Sequence, residues 1–215
     1  MKNFSIKEAL LYGWDATKNN FYFLFTIFLF LFIFILISSL IVALTEEKNI
    51  LIGYLLQVIF IATSFLLEMG FIKIFLKIYD NEKPELKDLF LQYPLFFRFV
   101  AASILSQIIV FLGLLLLIIP GIILGIALSF FPYLIVDKKI SSINSLKQSY
   151  EITKGVRFKL FIFYIILGLI NLLGVLFLVV GLFVTLPLTS LAIVFVYRKL
   201  LEQEENKNNL SIQTS

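Results

Sequence analysis

Cysteine and histidine are both absent from the 215 residues of this chain. Without them there is no disulfide, no thiol chemistry, no His/Cys site for zinc or copper and no haem ligation by these groups. The usual general base of catalysis near neutral pH is missing too. Charge is scarce: 15% of residues are Asp, Glu, Lys or Arg, against about 25% in a soluble domain. The longest polar stretches run to roughly 20 residues, too few for an independent core. A separate soluble domain is not expected.

What fills the chain is apolar. Hydrophobic residues make up 60% and mean hydropathy is +1.02, more apolar surface than a soluble fold of this length can bury. Runs long enough to cross a bilayer recur from Phe21 to Tyr197. The sequence therefore predicts one all-α, polytopic membrane domain over 1–215. The isoelectric point near 9.2 raises the question of nucleic acid. The basic residues flank apolar spans, however, where they set topology and attract anionic lipid. No nucleic-acid partner is expected. The expected partner is membrane lipid with anionic headgroups, beside a second copy of the chain or another membrane protein.

Six transmembrane helices are expected, at about 21–44, 50–72, 99–118, 120–136, 160–178 and 180–197. They form three hairpins, each preceded by an amphipathic interfacial helix on the cytoplasmic side, at about 4–18, 84–97 and 140–154. In the first of these, Phe4, Ile6, Leu10, Leu11 and Trp14 keep helical spacing while Lys7, Glu8, Asp15 and Lys18 point away. In the second, Leu86, Leu89, Phe90 and Tyr93 make the apolar stripe. Asp80, Glu82, Glu85 and Asp88 alternate there with Lys83 and Lys87 as a solvated face. In the third, Ile143, Leu146 and Tyr150 are expected to bury in the interface or against the bundle and Lys147 and Lys154 to face water or headgroups. The run Phe21–Leu44 is too long for a signal peptide and no small-residue cleavage pattern ends it.

The hairpins repeat. Between Arg98 and Asp137 lie 38 residues, and between Lys159 and Arg198 again 38. Two helices of 19 residues reach about 28 Å each, one hydrocarbon thickness, so each hairpin must turn near its middle without a polar loop. Gly113 and Pro120-Gly121 in one, and Gly174 and Gly181 in the other, are placed to let the backbone turn. An offset of 61 sets Arg98 on Lys159 and Ser129 on Ser190. An offset of 136 sets Gly13–Lys18 on Ser149–Lys154, and one of 57 sets Leu86, Leu89 and Tyr93 on Ile143, Leu146 and Tyr150. These offsets suggest a threefold repeat, with convergent membrane patterning as the alternative.

Orientation follows from charge. Lys and Arg number three in 1–20, five in 73–98, six in 137–159 and three after 197. That makes 17 of 18 on one side, with Lys48 alone on the other. By the positive-inside rule the N- and C-termini and both long loops are cytoplasmic.

Gly121, Gly125 and Ser129 make a small-residue ridge, suited to a dimer face or to close packing within the monomer. Thr153-Lys154-Gly155 lacks the upstream glycine of a phosphate-binding loop. Gly155 is expected to stop the preceding helix in a left-handed conformation. Pro132 and Pro187 fall inside spans, where bundled helices tolerate proline. In-span polar residues such as Thr63, Ser64, Asn171 and Thr189 are expected to bond between helices. Glu68 is the one acidic residue within the spans and is expected to face protein or water, with a partner. Lys73 and Lys77 lie about 140° and about 180° around the same helix, so Arg98 is the expected partner through a forked hydrogen bond. That pair reads either as a structural link or as a proton- or cation-coupling site. Lys147, Lys154, Arg157 and Lys159 are the candidate lipid-headgroup contacts. No carboxylate pair, Ser/Lys or Ser/His set or acidic metal cluster appears in the spans, so no catalytic residue, cofactor or metal is assigned and no enzyme is expected.

Pro120-Gly121-Ile122, Ser129-Phe130-Phe131-Pro132, Val136-Asp137, Ser145-Leu146-Lys147-Gln148-Ser149 and Thr153-Lys154-Gly155 together form a signature. It resembles that of the membrane domain attached to some bacterial glycerophosphodiester phosphodiesterases and of YciC-like inner-membrane proteins. The resemblance covers about residues 110–200; the first half of the chain matches in layout only. In those phosphodiesterases the chemistry belongs to a soluble barrel that has no counterpart in these 215 residues. The resemblance thus implies a membrane part without the catalytic part, in the bacterial cytoplasmic membrane. The expected function is non-enzymatic: an integral inner-membrane protein that binds or organises lipid or a membrane partner. The alternative is a small transporter or exporter of a lipophilic or ionic substrate. The third reading is an accessory membrane component of a lipid-processing enzyme.

Overall fold

A computed structural model of the chain describes residues 2–46, 49–177 and 180–213; Lys48, the lone exception to the charge bias, lies outside them. Nine α-helices are described: α1 Ile6–Asn19, α2 Phe21–Glu46, α3 Ile50–Tyr79, α4 Phe96–Leu116, α5 Ile118–Leu128, α6 Phe131–Lys138, α7 Ser142–Ile152, α8 Arg157–Leu176 and α9 Leu182–Gln213. No strand occurs among the described residues. Six helical stretches are long and apolar enough to cross a membrane, with α5 and α6 counting as one. Short polar side chains fix several helix starts. Ser5 Oγ accepts from the Glu8 N–H at 3.2 Å, and Asn49 Oδ1 accepts from Leu51 and Ile52, satisfying N–H groups that have no partner within the helix.

Helix α2 packs on α3, α4 on α5 and α8 on α9. The far ends of α3 and α6 and the middle of α9 converge on one ionic cluster. Arg198 donates to Asp80 at 2.5 Å and to Asp137 at 2.9 Å, and Tyr197 Oη donates to Asp137 at 2.9 Å. We call this end the base. The core sits there: Ile74, Leu76, Leu134, Ile135, Val194 and Leu200 are fully buried. Toward the opposite ends, the tips, the side chains turn outward; Leu115, Leu117, Ile119 and Leu176 are about 70% exposed. That surface suits hydrocarbon and not water. Half of the most apolar stretch of α9 is buried, against 11% for α2 and for α3, which makes α9 the hub.

The hairpin α4–α5 turns on Leu117 alone, in extended conformation. Its glycines do a different job from the expected one. A Cβ on Gly113 would lie 3.0 Å from Gly121 Cα, and one on Gly181 would lie 2.7 Å from Gly174 O. Their missing side chains let two helices touch just inside each turn. The backbone freedom of glycine is used at Gly155, where φ is +89°, between α7 and α8 as expected.

Residues 84–97 depart from expectation. They form two 3-10 turns, Leu86–Leu89 and Tyr93–Leu95, in place of an amphipathic helix. Pro84 and Pro94 leave too few residues between them to propagate a helix. Of the expected stripe, Leu89 is buried while Leu86, Phe90 and Tyr93 face outward. Asp88, expected on a solvated face, is buried. It accepts from Lys77 Nζ at 2.8 Å and from the Glu85 N–H at 2.8 Å.

The segments before each hairpin dock through small residues. α1 buries Ala9, Gly13, Ala16 and Thr17 against α9, so closely that a Cβ on Gly13 would lie 2.4 Å from Leu188 O. The turn at Leu89 meets α3 at Gly70, where a Cβ would lie 2.2 Å from Leu89 O. α7 buries Ser145, Ser149, Ile152 and Thr153, the last adjoining its end, against α4, α5 and α6, with Ser149 and Thr153 reaching α5 at Ala127 O. Leu11, Trp14, Ile143 and Tyr150 point away. Of Ile143, Leu146 and Tyr150, then, Leu146 alone packs into the protein.

Candidate functional site: a cavity where the hairpins meet

The site begins with a broken helix. α5 stops at Leu128 and α6 starts at Phe131, because Pro132 has no N–H to offer the Leu128 carbonyl. The last turn tightens, with the Ser129 N–H reaching Ile126 O at 3.3 Å. α7 takes up groups left over. The Phe130 N–H donates to Ser149 Oγ at 3.1 Å, and Ser149 Oγ donates to Ala127 O at 2.9 Å. Thr153 Oγ1 reaches the same carbonyl at 3.2 Å. Two parts of the sequence signature, Ser129–Pro132 and Ser145–Ser149, thus bond to each other through Phe130 and Ser149.

The break turns Ser129, Pro132 and Tyr133 onto a cavity of about 510 Å³. From α2 and α3 come Phe28, Phe71 and Phe75, in mutual ring contact at 5.3 to 6.3 Å, together with Ser64 and Glu68. From α8 and α9 come Tyr164 and Ser190. Tyr164 Oη donates to Ser129 Oγ at 2.9 Å, and Ser129 Oγ donates to Ile126 O at 2.9 Å. Two triplets separated by 57 and 61 residues line this one space: Ile72, Ser129, Ser190 and Phe75, Pro132, Ile193. An apolar slot of about 210 Å³ between α2 and α9 adjoins it, sharing Phe28, Leu31 and Ile35.

Glu68 lines the rim of the cavity with its side chain exposed, not enclosed by protein as expected, and makes no hydrogen bond or ion pair within the described residues. The expected pairing with Arg98 is not formed. Arg98 Nη1 donates to Lys139 O at 2.8 Å, and Arg98 O accepts from Ser142 Oγ at 2.8 Å. Depth is the reason. α3 continues to Tyr79, which puts Glu68 about 18 Å along the helix from Asp80 at the base, whereas Arg98 stands at the start of α4.

The ridge Gly121, Gly125, Ser129 packs within the molecule. A Cβ on Gly121 would lie 2.4 Å from Leu114 Cγ, Gly125 has the Val110 methyls at 3.9 Å, and Ser129 holds Tyr164. Among the headgroup candidates, Lys147 and Lys154 are exposed. Arg157 stacks on Tyr150, 3.9 Å from its ring centre, and donates to Tyr150 O at 3.2 Å. Lys159 donates to Asn3 Oδ1 at 2.5 Å. Both are thereby tied to protein groups. Thr63 and Ser64 bond to carbonyls of their own helix, Ile59 O and Phe60 O, at 2.9 Å each. Asn171 and Thr189 do link two helices, at 3.3 Å.

Two features were missed in the sequence. One is the docking role of Ser149 and Thr153. The other is the cluster Asp80, Asp137, Arg198, whose spacings of 57 and 61 equal the offsets already in hand. Beside that cluster, burial, helped by Tyr79 and Asp80, pushes the Tyr12 hydroxyl up to about 12. No group of three or more acids among the described residues could hold a metal ion. A carboxylate, hydroxyls and aromatic side chains around one open-sided hollow can bind an amphiphile. No family model, curated protein or solved structure matches the chain.

Proposed function

We propose that the chain is a non-enzymatic integral membrane protein that holds a lipid-like amphiphile in the cavity between its hairpins. One observation carries the reading: the 510 Å³ space combines a Phe28–Phe71–Phe75 wall with Glu68 and the hydroxyls of Ser64, Ser190 and Tyr133. Such a lining matches a molecule with a polar head and an apolar body. The missing catalytic sets argue in the same direction. In this reading the three hairpins are repeats, each docking its preceding segment on a neighbour: α1 on α9, the Leu89 turn on α3, α7 on α5. Gly70, Ala127 and Leu188, the docking points, are again 57 and 61 apart. The charge bias supports cytoplasmic termini. The sequence signature supports a bacterial inner membrane, with service to a lipid-processing enzyme as a third role.

Native mass spectrometry of the protein released from nanodiscs tests the reading. A bound small amphiphile is expected, and Ser190→Leu, which fills the cavity, should remove it. Spectra of wild-type protein with nothing bound would sink the proposal. A second reading, transport, is favoured by the unpaired Glu68, and solute flux in proteoliposomes checks it. For topology, single cysteines at Asn3, Asn49 and Ser142 should react with an impermeant reagent outside intact cells at Asn49 only.

A further inference from the structure

Glu68 is the one charged side chain lining the cavity. An ionised carboxylate at membrane depth requires a counter-charge, and the basic groups toward the base are both distant along the helices and committed elsewhere. Lys77 holds Asp88 at 2.8 Å, Arg98 holds the Lys139 carbonyl, and Arg198 holds Asp80 and Asp137. Lys73 projects about 140° away around α3. The occupant itself is left to supply the positive charge.

The rest of the lining agrees. Phe28, Phe71 and Phe75 line the cavity, and aromatic rings attract an organic cation. The hydroxyls of Ser190 and Tyr133 can accept N–H bonds. The adjoining slot, walled by Phe32, Leu182, Phe183 and Leu186, is wholly apolar and shares three residues with the cavity. It is shaped for a tail. A phosphate, by contrast, would meet no basic lining residue, so a zwitterionic phospholipid head is a poor fit.

We propose that the site takes a hydrophobic organic cation: an ammonium beside Glu68, with its apolar chain in the slot between α2 and α9. This rests on the amphiphile reading above and adds the sign of the charge.

The test is calorimetric binding to purified protein in uncharged maltoside micelles, with decylammonium, decanol and decanoate as probes of one chain length. Wild type should bind decylammonium at least about tenfold more tightly than decanol, and decanoate least. Glu68→Gln, nearly isosteric, should bring decylammonium to the decanol level without changing decanol itself. Leu186→Trp, which blocks the slot, should weaken decylammonium and spare butylammonium. Equal binding of amine and alcohol by wild type, abolished by Ser190→Leu, would overturn the cation and keep the amphiphile. No binding of any probe would overturn both. Tightest binding of decanoate would overturn the charge argument outright. Phosphatidylethanolamine added to the micelles should leave decylammonium binding unchanged. Displacement would move the ammonium onto a lipid headgroup and overturn the phosphate argument.

Discussion

α1 on α9 and α7 on α5 are two versions of one contact. Ala9, Gly13, Ala16 and Thr17 are buried in the first, and Ser145, Ser149, Ile152 and Thr153, each 136 residues on, in the second. They approach carbonyls 61 residues apart, Leu188 O and Ala127 O. The chemistry differs because the partner helices differ. α9 is unbroken at Leu188, so that carbonyl is served within the helix, and the partner only has to be small. α5 breaks just after Ala127, so its free groups call for hydroxyls. Geometry of approach is shared; the side chain at the contact follows from whether the facing backbone is already satisfied.

The sharpest way to break the first contact is Gly13→Leu. With backbone 2.4 Å from the position of Cβ, neither helix can yield cheaply, and a loss of about 3 kcal/mol is expected. Unfolding in mixed detergent micelles would show it. A near-neutral result would mean that α1 does not lie on α9. Ser149→Ala leaves the Phe130 N–H without its bond and Ala127 O with Thr153 alone, at a cost of about 2 kcal/mol. Adding Pro132→Ala, which restores an N–H for Leu128 O, should shrink that cost in a double-mutant cycle. Strict additivity would show that the break does not explain the serine.

Smaller changes separate the two exits. Gly155→Ala meets nothing within 4 Å but must hold φ at +89°, so about 1 kcal/mol is expected from the backbone alone. Asn19, at the corresponding place after Gly13, is still helical, so Asn19→Ala should fall within about 0.5 kcal/mol of wild type. Thr153→Val should cost about 0.5 kcal/mol, since Ser149 continues to serve Ala127 O.

The spans could be read from the sequence because continuous apolar runs such as Phe21–Leu44 have no other stable home. Gly155 could be read because a left-handed position favours one residue type. The docking faces could not. Amphipathic spacing in α1 and α7 picks out large residues such as Leu11, Trp14, Ile143 and Tyr150, expected in the interface or against the bundle. These face outward; the small residues that meet protein carry no such spacing signal. Where lipid is the solvent, large apolar side chains gain nothing by turning inward. The helix expected over 84–97 failed on Pro84 and Pro94, and buried Asp88 was misplaced because the Lys77–Asp88 pair is a contact between segments and leaves no local pattern. The Glu68–Arg98 pairing failed on depth: with α3 running to Tyr79, the carboxylate lies well beyond the start of α4, where Arg98 stands.

The cluster at the base fixes when the protein can be finished. Asp80 and Asp137 are synthesised 118 and 61 residues before the Arg198 that neutralises both. α1, the first helix made, has its docking surface on α9, and Asn3 bonds Gln203 across 200 residues. Ribosomes therefore release two hairpins whose carboxylates and whose leading helix are still waiting. The cluster and the α1 docking face can close only once α9 has been made.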